Sequence, residues 1–185
     1  MSNKKIDKIS VCLIIICMNT IEYFKNSWQP NYDKFDYSGW ALLDKIPSDA
    51  DVLDVGCGYN LFKPHYENLY GIDPANDAAD EVVSIEDFDS QGKQWSRVLC
   101  LGSINFGKDV EPQVAKVVSL TSKGGTIYWR QNPGLSDHPW KGVDAIQFFP
   151  WTFKLNYAWA TKYNCTLQEC KWDTGDRIYA EWKKK

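Results

Sequence analysis

Residues Val52–Asn60 read V-L-D-V-G-C-G-Y-N: an apolar strand, a carboxylate inside it, and a turn with two glycines. Val52, Leu53 and Val55 suit a buried strand, and Gly56 and Gly58 supply a tight exit where the backbone can approach a ligand closely. Asp54 is the unusual residue. A charge beside a buried strand end is costly unless a cation or hydrogen-bond donor meets it, so this strand asks for such a partner.

A second apolar strand follows at Leu69–Pro74, L-Y-G-I-D-P, ending in Asp73, 17 residues beyond Gly56. An acid at that place in a Rossmann-type nucleoside site accepts hydrogen bonds from both ribose hydroxyls. The spacing also suits dinucleotide binders, so the glycine loop must discriminate. A dinucleotide fingerprint places a third glycine where helix and pyrophosphate meet, whereas this chain continues from Gly56 and Gly58 to Leu61. Pyrophosphate is therefore disfavoured. Asn60 is the non-glycine type most tolerant of a left-handed backbone, in keeping with a tight turn.

The rest of the chain alternates strand and helix. A third strand is expected at Glu81–Ser84 and a fourth at Arg97–Leu101. A helix over Val110–Leu120 tolerates Pro112 in its first turn, and a Lys123-Gly124-Gly125 turn leads into strand Thr126–Arg130. An aromatic-rich helix lies within Phe148–Lys162, and strands Thr166–Trp172 and Arg177–Trp182, joined by D-T-G-D, read as a closing hairpin. Ahead of the glycine loop, Ile6, Ile9, Leu13, Ile16, Ile21 and Phe24 recur at helical spacing, and Ser38 starts a short helix that Pro47 ends. The expected organisation is an N-terminal helical cap over residues 1–46 and one ligand-binding domain over 47–185.

Composition narrows the function classes. A chain of 185 residues fits one domain with a sizeable core, and a formal charge of −3 supplies no basic field for nucleic acid or an acidic membrane. The lysines at 183–185 read as a solvated tail. The apolar run Val11–Met18 is too short to cross a bilayer and no small-residue cleavage site follows it; Met18 is a second candidate start. None of the six cysteines forms a C-x-x-C pair, so no metal is expected, and free thiols in a cytoplasmic protein fit best.

The glycine string, the Asp73 strand, the acids after the third strand and the Gly102 edge together resemble class I S-adenosylmethionine-dependent methyltransferases, over residues 48–185. The resemblance implies an α/β fold: a doubly wound, mostly parallel seven-stranded sheet with an antiparallel last strand. It implies S-adenosylmethionine as cofactor, with Asp54, Gly56, Cys57 and Gly58 near its methionine tail and Asp73 and Pro74 at the ribose. Ile85, Glu86 and Asp87 would meet the adenine, and Leu101, Gly102 and Ser103 would edge the site. Acceptor contacts would come from Asn105 and Phe106 and, in the polar and aromatic loop after the fifth strand, from Arg130, Asn132 and Trp140.

Direct in-line methyl transfer to a small-molecule acceptor is the implied reaction, with His138 the first candidate general base and Asp137 the second. Tyr32, Tyr37 and Trp40 are lid candidates, although plain core packing suits Trp40 better. The N-P-G at Asn132–Gly134 differs from the N-P-P-aromatic motif of amino-directed DNA methyltransferases: it follows the fifth strand and lacks the second proline and the aromatic. The alternatives are a non-catalytic S-adenosylmethionine-binding protein and, further off, an NAD-dependent oxidoreductase. Oligomeric state is left open.

Overall fold

A computed structural model describes residues 21–26, 28–30, 35–134 and 148–185. Six strands form one mixed sheet: β1 (Asp51–Val55), β2 (Asn68–Ile72), β3 (Trp95–Leu101), β4 (Thr121–Gln131), β5 (Cys165–Asp173) and β6 (Arg177–Lys184). Their order is β2-β1-β3-β4-β6-β5. The first four run parallel, and β6 lies antiparallel between β4 and β5, as the closing hairpin predicts. The order reverses between β1 and β3, which is where an open sheet of this kind opens a crevice at its carboxyl edge.

The expected count of seven strands is corrected to six. The segment Glu81–Ser84 makes only an isolated parallel bridge, Ile72 to Glu81. The contact with the β2 end is short: Asp80 caps the Gly71 N–H with its carboxylate at 2.8 Å, and beyond it Asp73 N–H to the Glu81 carbonyl at 3.3 Å and Val83 N–H to the Asp73 carbonyl at 3.1 Å join the two backbones. A turn closed by Phe88 N–H to Ser84 C=O then ends the segment.

Alternation along the strands divides the core. One face collects Leu53, Val55, Val98, Cys100, Ile127 and Trp129 with two helices, α1 (Glu111–Leu120) and α2 (Phe153–Lys162). Helix α1 contributes Val114, Val117 and Val118 to that cluster, and α2 contributes Trp159 and Ala160. Thr152 caps α2, its hydroxyl accepting from Leu155 N–H at 3.1 Å. The other face collects Val52, Leu99, Tyr128 and Tyr179 with Leu42 of a 3-10 helix, Gly39–Asp44. The short helix expected after Ser38 is this 3-10 helix, with Ser38 at its N-cap. Among the described residues, the crossing from β1 to β2 also carries no α-helix, only a 3-10 turn at Lys63–His65 built around Pro64.

The expected Lys123-Gly124-Gly125 turn lies inside β4 instead. Trp95 pairs with Thr121 and Arg97 with Thr126, so the intervening residues are an irregularity in the ladder, and Gly124 sits at φ 74°. No described helix is long and apolar enough to cross a membrane.

Candidate functional site

A cavity of about 680 Å³ opens at the carboxyl edge of the sheet. Its walls come from the turn after β1, the ends of β2 to β4, the β5–β6 turn and residues Ile21, Tyr23, Phe24, Trp28 and Gln29. That volume is within the range of small-molecule sites.

Gly56 has φ 70°, and a Cβ there would stand 2.2 Å from the Ser103 Cβ, so only glycine lets the β1 turn meet the β3 turn. Gly58 has φ 54° and lies under the Trp28 ring, which stacks on Tyr59 with centroids 5.9 Å apart. Asn60 holds the left-handed conformation at φ 54°, its amide donating to the Ala78 carbonyl at 3.1 Å. The turn differs from expectation in where its donors go. Gly56 and Cys57 N–H both reach the Ile72 carbonyl, and Gly58 N–H reaches the Asp73 carboxylate at 2.9 Å, so the end of β2 and the residue after it take all three.

Asp73 is buried yet lines the cavity. Besides Gly58 N–H on Oδ2, its Oδ1 accepts from Ala75 N–H at 2.8 Å and Asn76 N–H at 2.9 Å. Pro74 stands beside it on the wall. Asp54 is 4% exposed, and no described residue hydrogen-bonds its carboxylate. Burial, and then the charge of Asp73, raise its pKa to about 7. Asp54 and Cys57 sit behind the wall rather than on it, and burial pushes the Cys57 thiol up.

Leu101, Gly102 and Ser103 all line the cavity. Gly102 has φ 88° with nothing within 4 Å of the place a Cβ would occupy. The Ser103 hydroxyl is buried without a partner. The three residues expected at an adenine are elsewhere. Ile85 packs in the core, Glu86 accepts from the Gln113 amide, and Asp87 pairs with the Ser84 hydroxyl at 2.9 Å; none is on the cavity wall.

Asn105, Phe106, Arg130 and Asn132 do converge on the cavity, but two of them are committed to structure. The Asn105 amide donates to the Asn132 and Phe149 carbonyls at 3.1 Å each and its oxygen accepts Asn132 N–H, locking the β3 and β4 exits together. Arg130 packs its guanidinium 3.9 Å from the Phe35 ring centroid, donating to Asp173 at 3.3 Å and to the Thr174 carbonyl at 2.9 Å. Burial pulls its pKa down to about 10, against the opposing pull of Asp173, so it stays charged at neutral pH. Asp173 is a hub: its carboxylate also accepts Asp36 N–H at 3.0 Å, Tyr37 N–H at 3.1 Å and the Ser38 hydroxyl.

His138, Asp137, Trp140 and Tyr32 lie outside the described residues. Tyr37 stacks on Tyr179, and Trp40 meets Phe62 and His65 edge-on, so neither is on the cavity wall. The sequence reading missed Phe24, Trp28, Phe35, Phe148 and Arg177 as lining residues. For Arg177 a signal existed: a cation directly after the D-T-G-D turn, at the end of the hairpin that returns beside β4.

No family model matches this sequence, and no curated protein does. The fold has many counterparts among solved structures. The 1,6-didemethyltoxoflavin-N1-methyltransferase of Burkholderia thailandensis, with its substrate and S-adenosylhomocysteine bound, aligns over 100% of this chain and 93% of its own at TM-score 0.69 and 11% identity. The N-methyltransferase NodS of Bradyrhizobium japonicum, in complex with S-adenosylhomocysteine, aligns over 90% of this chain and 98% of its own at 0.65 and 12%. The magnesium protoporphyrin IX methyltransferase of Synechocystis, with bound S-adenosylmethionine, covers 100% and 87% at 0.58 and 9%. The chain therefore has the α/β Rossmann-like fold of S-adenosylmethionine-dependent methyltransferases, with the outermost strand reduced to a single bridge.

Proposed function

We propose that the protein binds S-adenosylmethionine and transfers its methyl group to a small-molecule acceptor. The observation that carries this reading is Asp73, a carboxylate held on the cavity wall just after β2, in a cavity whose edge also includes Gly102. Asp54, buried and with no hydrogen-bond partner among the described residues, suits a cationic ligand tail in its vicinity. Ser103 Oγ and Asn132 Nδ2, both buried without partners, offer donors on the same wall.

The arrangement disfavours NAD. A pyrophosphate needs free backbone N–H groups at a helix N-terminus, whereas those of Gly56, Cys57 and Gly58 are taken by the end of β2 and the residue after it, and only a 3-10 turn follows. The room beyond Gly102 favours an enzyme over a non-catalytic binder.

When bound, S-adenosylmethionine supplies a methyl already activated on a sulfonium, so the protein has to align the acceptor lone pair with it and exclude water. Phe24, Trp28 and Phe106 form an apolar cover that does the second. A proton on the acceptor atom is assigned to His138, with Asp137 as its alternate. The four described cysteines are free, which supports a cytoplasmic setting.

Calorimetric titration with S-adenosylmethionine and with NAD tests the reading directly: tight NAD binding without S-adenosylmethionine binding would overturn it. Two variants locate the ligand. Gly102→Ala should cost about 1–2 kcal/mol of stability, from a left-handed backbone with a Cβ, yet weaken S-adenosylhomocysteine binding more than tenfold because that Cβ enters the open edge. Asp73→Asn should also weaken it at least tenfold, with about 1–2 kcal/mol of stability lost because an amide cannot satisfy all three backbone donors. Equal affinity in the purified Asn variant would remove Asp73 from the ribose.

A further inference from the structure

We infer that the methyl acceptor is a small aromatic or conjugated carboxylate, its anionic group held by Arg177 and its flat body lying against phenylalanine rings. This rests on the methyltransferase reading above and names its second substrate by class.

Charge in the cavity is sorted by position. Asp73 is the one acid on the described wall, at the β2 end; the two cations, Arg130 and Arg177, belong to β4 and β6. Arg130 is neutralised by Asp173 and stacked on Phe35. Arg177 has no such ion pair among the described residues. Its Nη1 donates to the Gly175 carbonyl at 2.7 Å. It is half-buried, and burial draws its pKa down, with Asp176 acting the other way. A partly desolvated guanidinium without a counter-ion has donors to spare for a planar, two-oxygen anion.

The same cavity also presents apolar rings. Phe106 lies 5.2 Å from Phe24 and 5.5 Å from Phe148 between ring centroids, and all three line the cavity. Such a wall suits an offset or edge-on aromatic body and gives nothing to the hydroxyls of a sugar. A phosphate dianion would call for more than one uncommitted cation. Asn132 lines the same cavity, and its buried amide nitrogen has no hydrogen-bond partner.

The test uses the full chain loaded with S-adenosylhomocysteine, titrated with benzoate, cinnamate and indole-3-acetate and with the primary amide of each. Every acid should bind at least tenfold more tightly than its amide. Arg177→Met should abolish that preference and Arg177→Lys keep part of it, both retaining the wild-type affinity for S-adenosylhomocysteine, which also reports that they fold. Equal binding of acid and amide, no binding of any acid, or an undiminished preference in Arg177→Met would each overturn the inference. Failure of the wild type to bind S-adenosylhomocysteine would instead overturn the methyltransferase reading.

Discussion

Asp173→Ala is expected to lower stability by about 3–5 kcal/mol, a drop in melting temperature on the order of 10 °C for a chain of this size. The Asp173 side chain is fully buried and Arg130 is 14% exposed, so removing the carboxylate leaves a cation inside the protein without its counter-charge. It also strands the Asp36 and Tyr37 amides and the Ser38 hydroxyl. These donors tie the segment before the first 3-10 helix to the β5–β6 turn, so the variant should also release Phe35 from the cavity wall. Asp173→Asn, which keeps one acceptor oxygen, should lose less. Differential scanning calorimetry decides the matter, and an alanine variant melting within about 2 °C of the wild type would show that the hub contributes little.

Asp54 should make stability depend on pH in the direction opposite to most carboxylates. Its pKa rises from 3.8 in the unfolded chain to about 7 in the folded one, so the native state keeps a proton that the unfolded state has released. Stability from this group is therefore greatest below about pH 4, declines as pH climbs towards 7, and is level above that; the whole difference is on the order of 4 kcal/mol. Asp54→Asn should flatten that decline, so that the variant exceeds the wild type in stability at pH 8 by more than at pH 4. Cofactor binding should carry the opposite sign. A cationic ligand tail favours the ionised carboxylate, so wild-type affinity for S-adenosylhomocysteine should rise with pH up to about 7, and the Asn variant should lose that rise. Parallel stability curves for the two proteins across this range would rule out a titrating Asp54.

What the sequence made legible is mostly local. The β1 strand, its glycine turn, Asp73 and the Gly102 edge depend on short-range alternation and on backbone conformations that glycine accepts, and each lies where its residues suggest. The third strand shrinks to a bridge beside the β2 end, with an aspartate side chain nine residues from Gly71 taking its amide, an arrangement that strand periodicity does not encode. The acids at 86 and 87 look like ligand groups in sequence, but a neighbouring serine and a glutamine from α1 satisfy them. Whether a polar side chain serves a ligand or the backbone depends on partners far along the chain. Asp173 and Asp36 are 137 residues apart, and nothing near either announces the other. The lining rings at 24, 106 and 148 are likewise brought together only by the folded sheet.

Three backbone N–H groups fix the Asp73 carboxylate before any ligand arrives. Its rotamer freedom, worth ~1 kcal/mol or less, is surrendered during folding and is not charged again at binding. On the proposed ribose role, a sugar with two adjacent hydroxyls would meet a receptor already set in orientation, so a deoxyribose, or a ribose tilted out of line, should find no adjustable partner there.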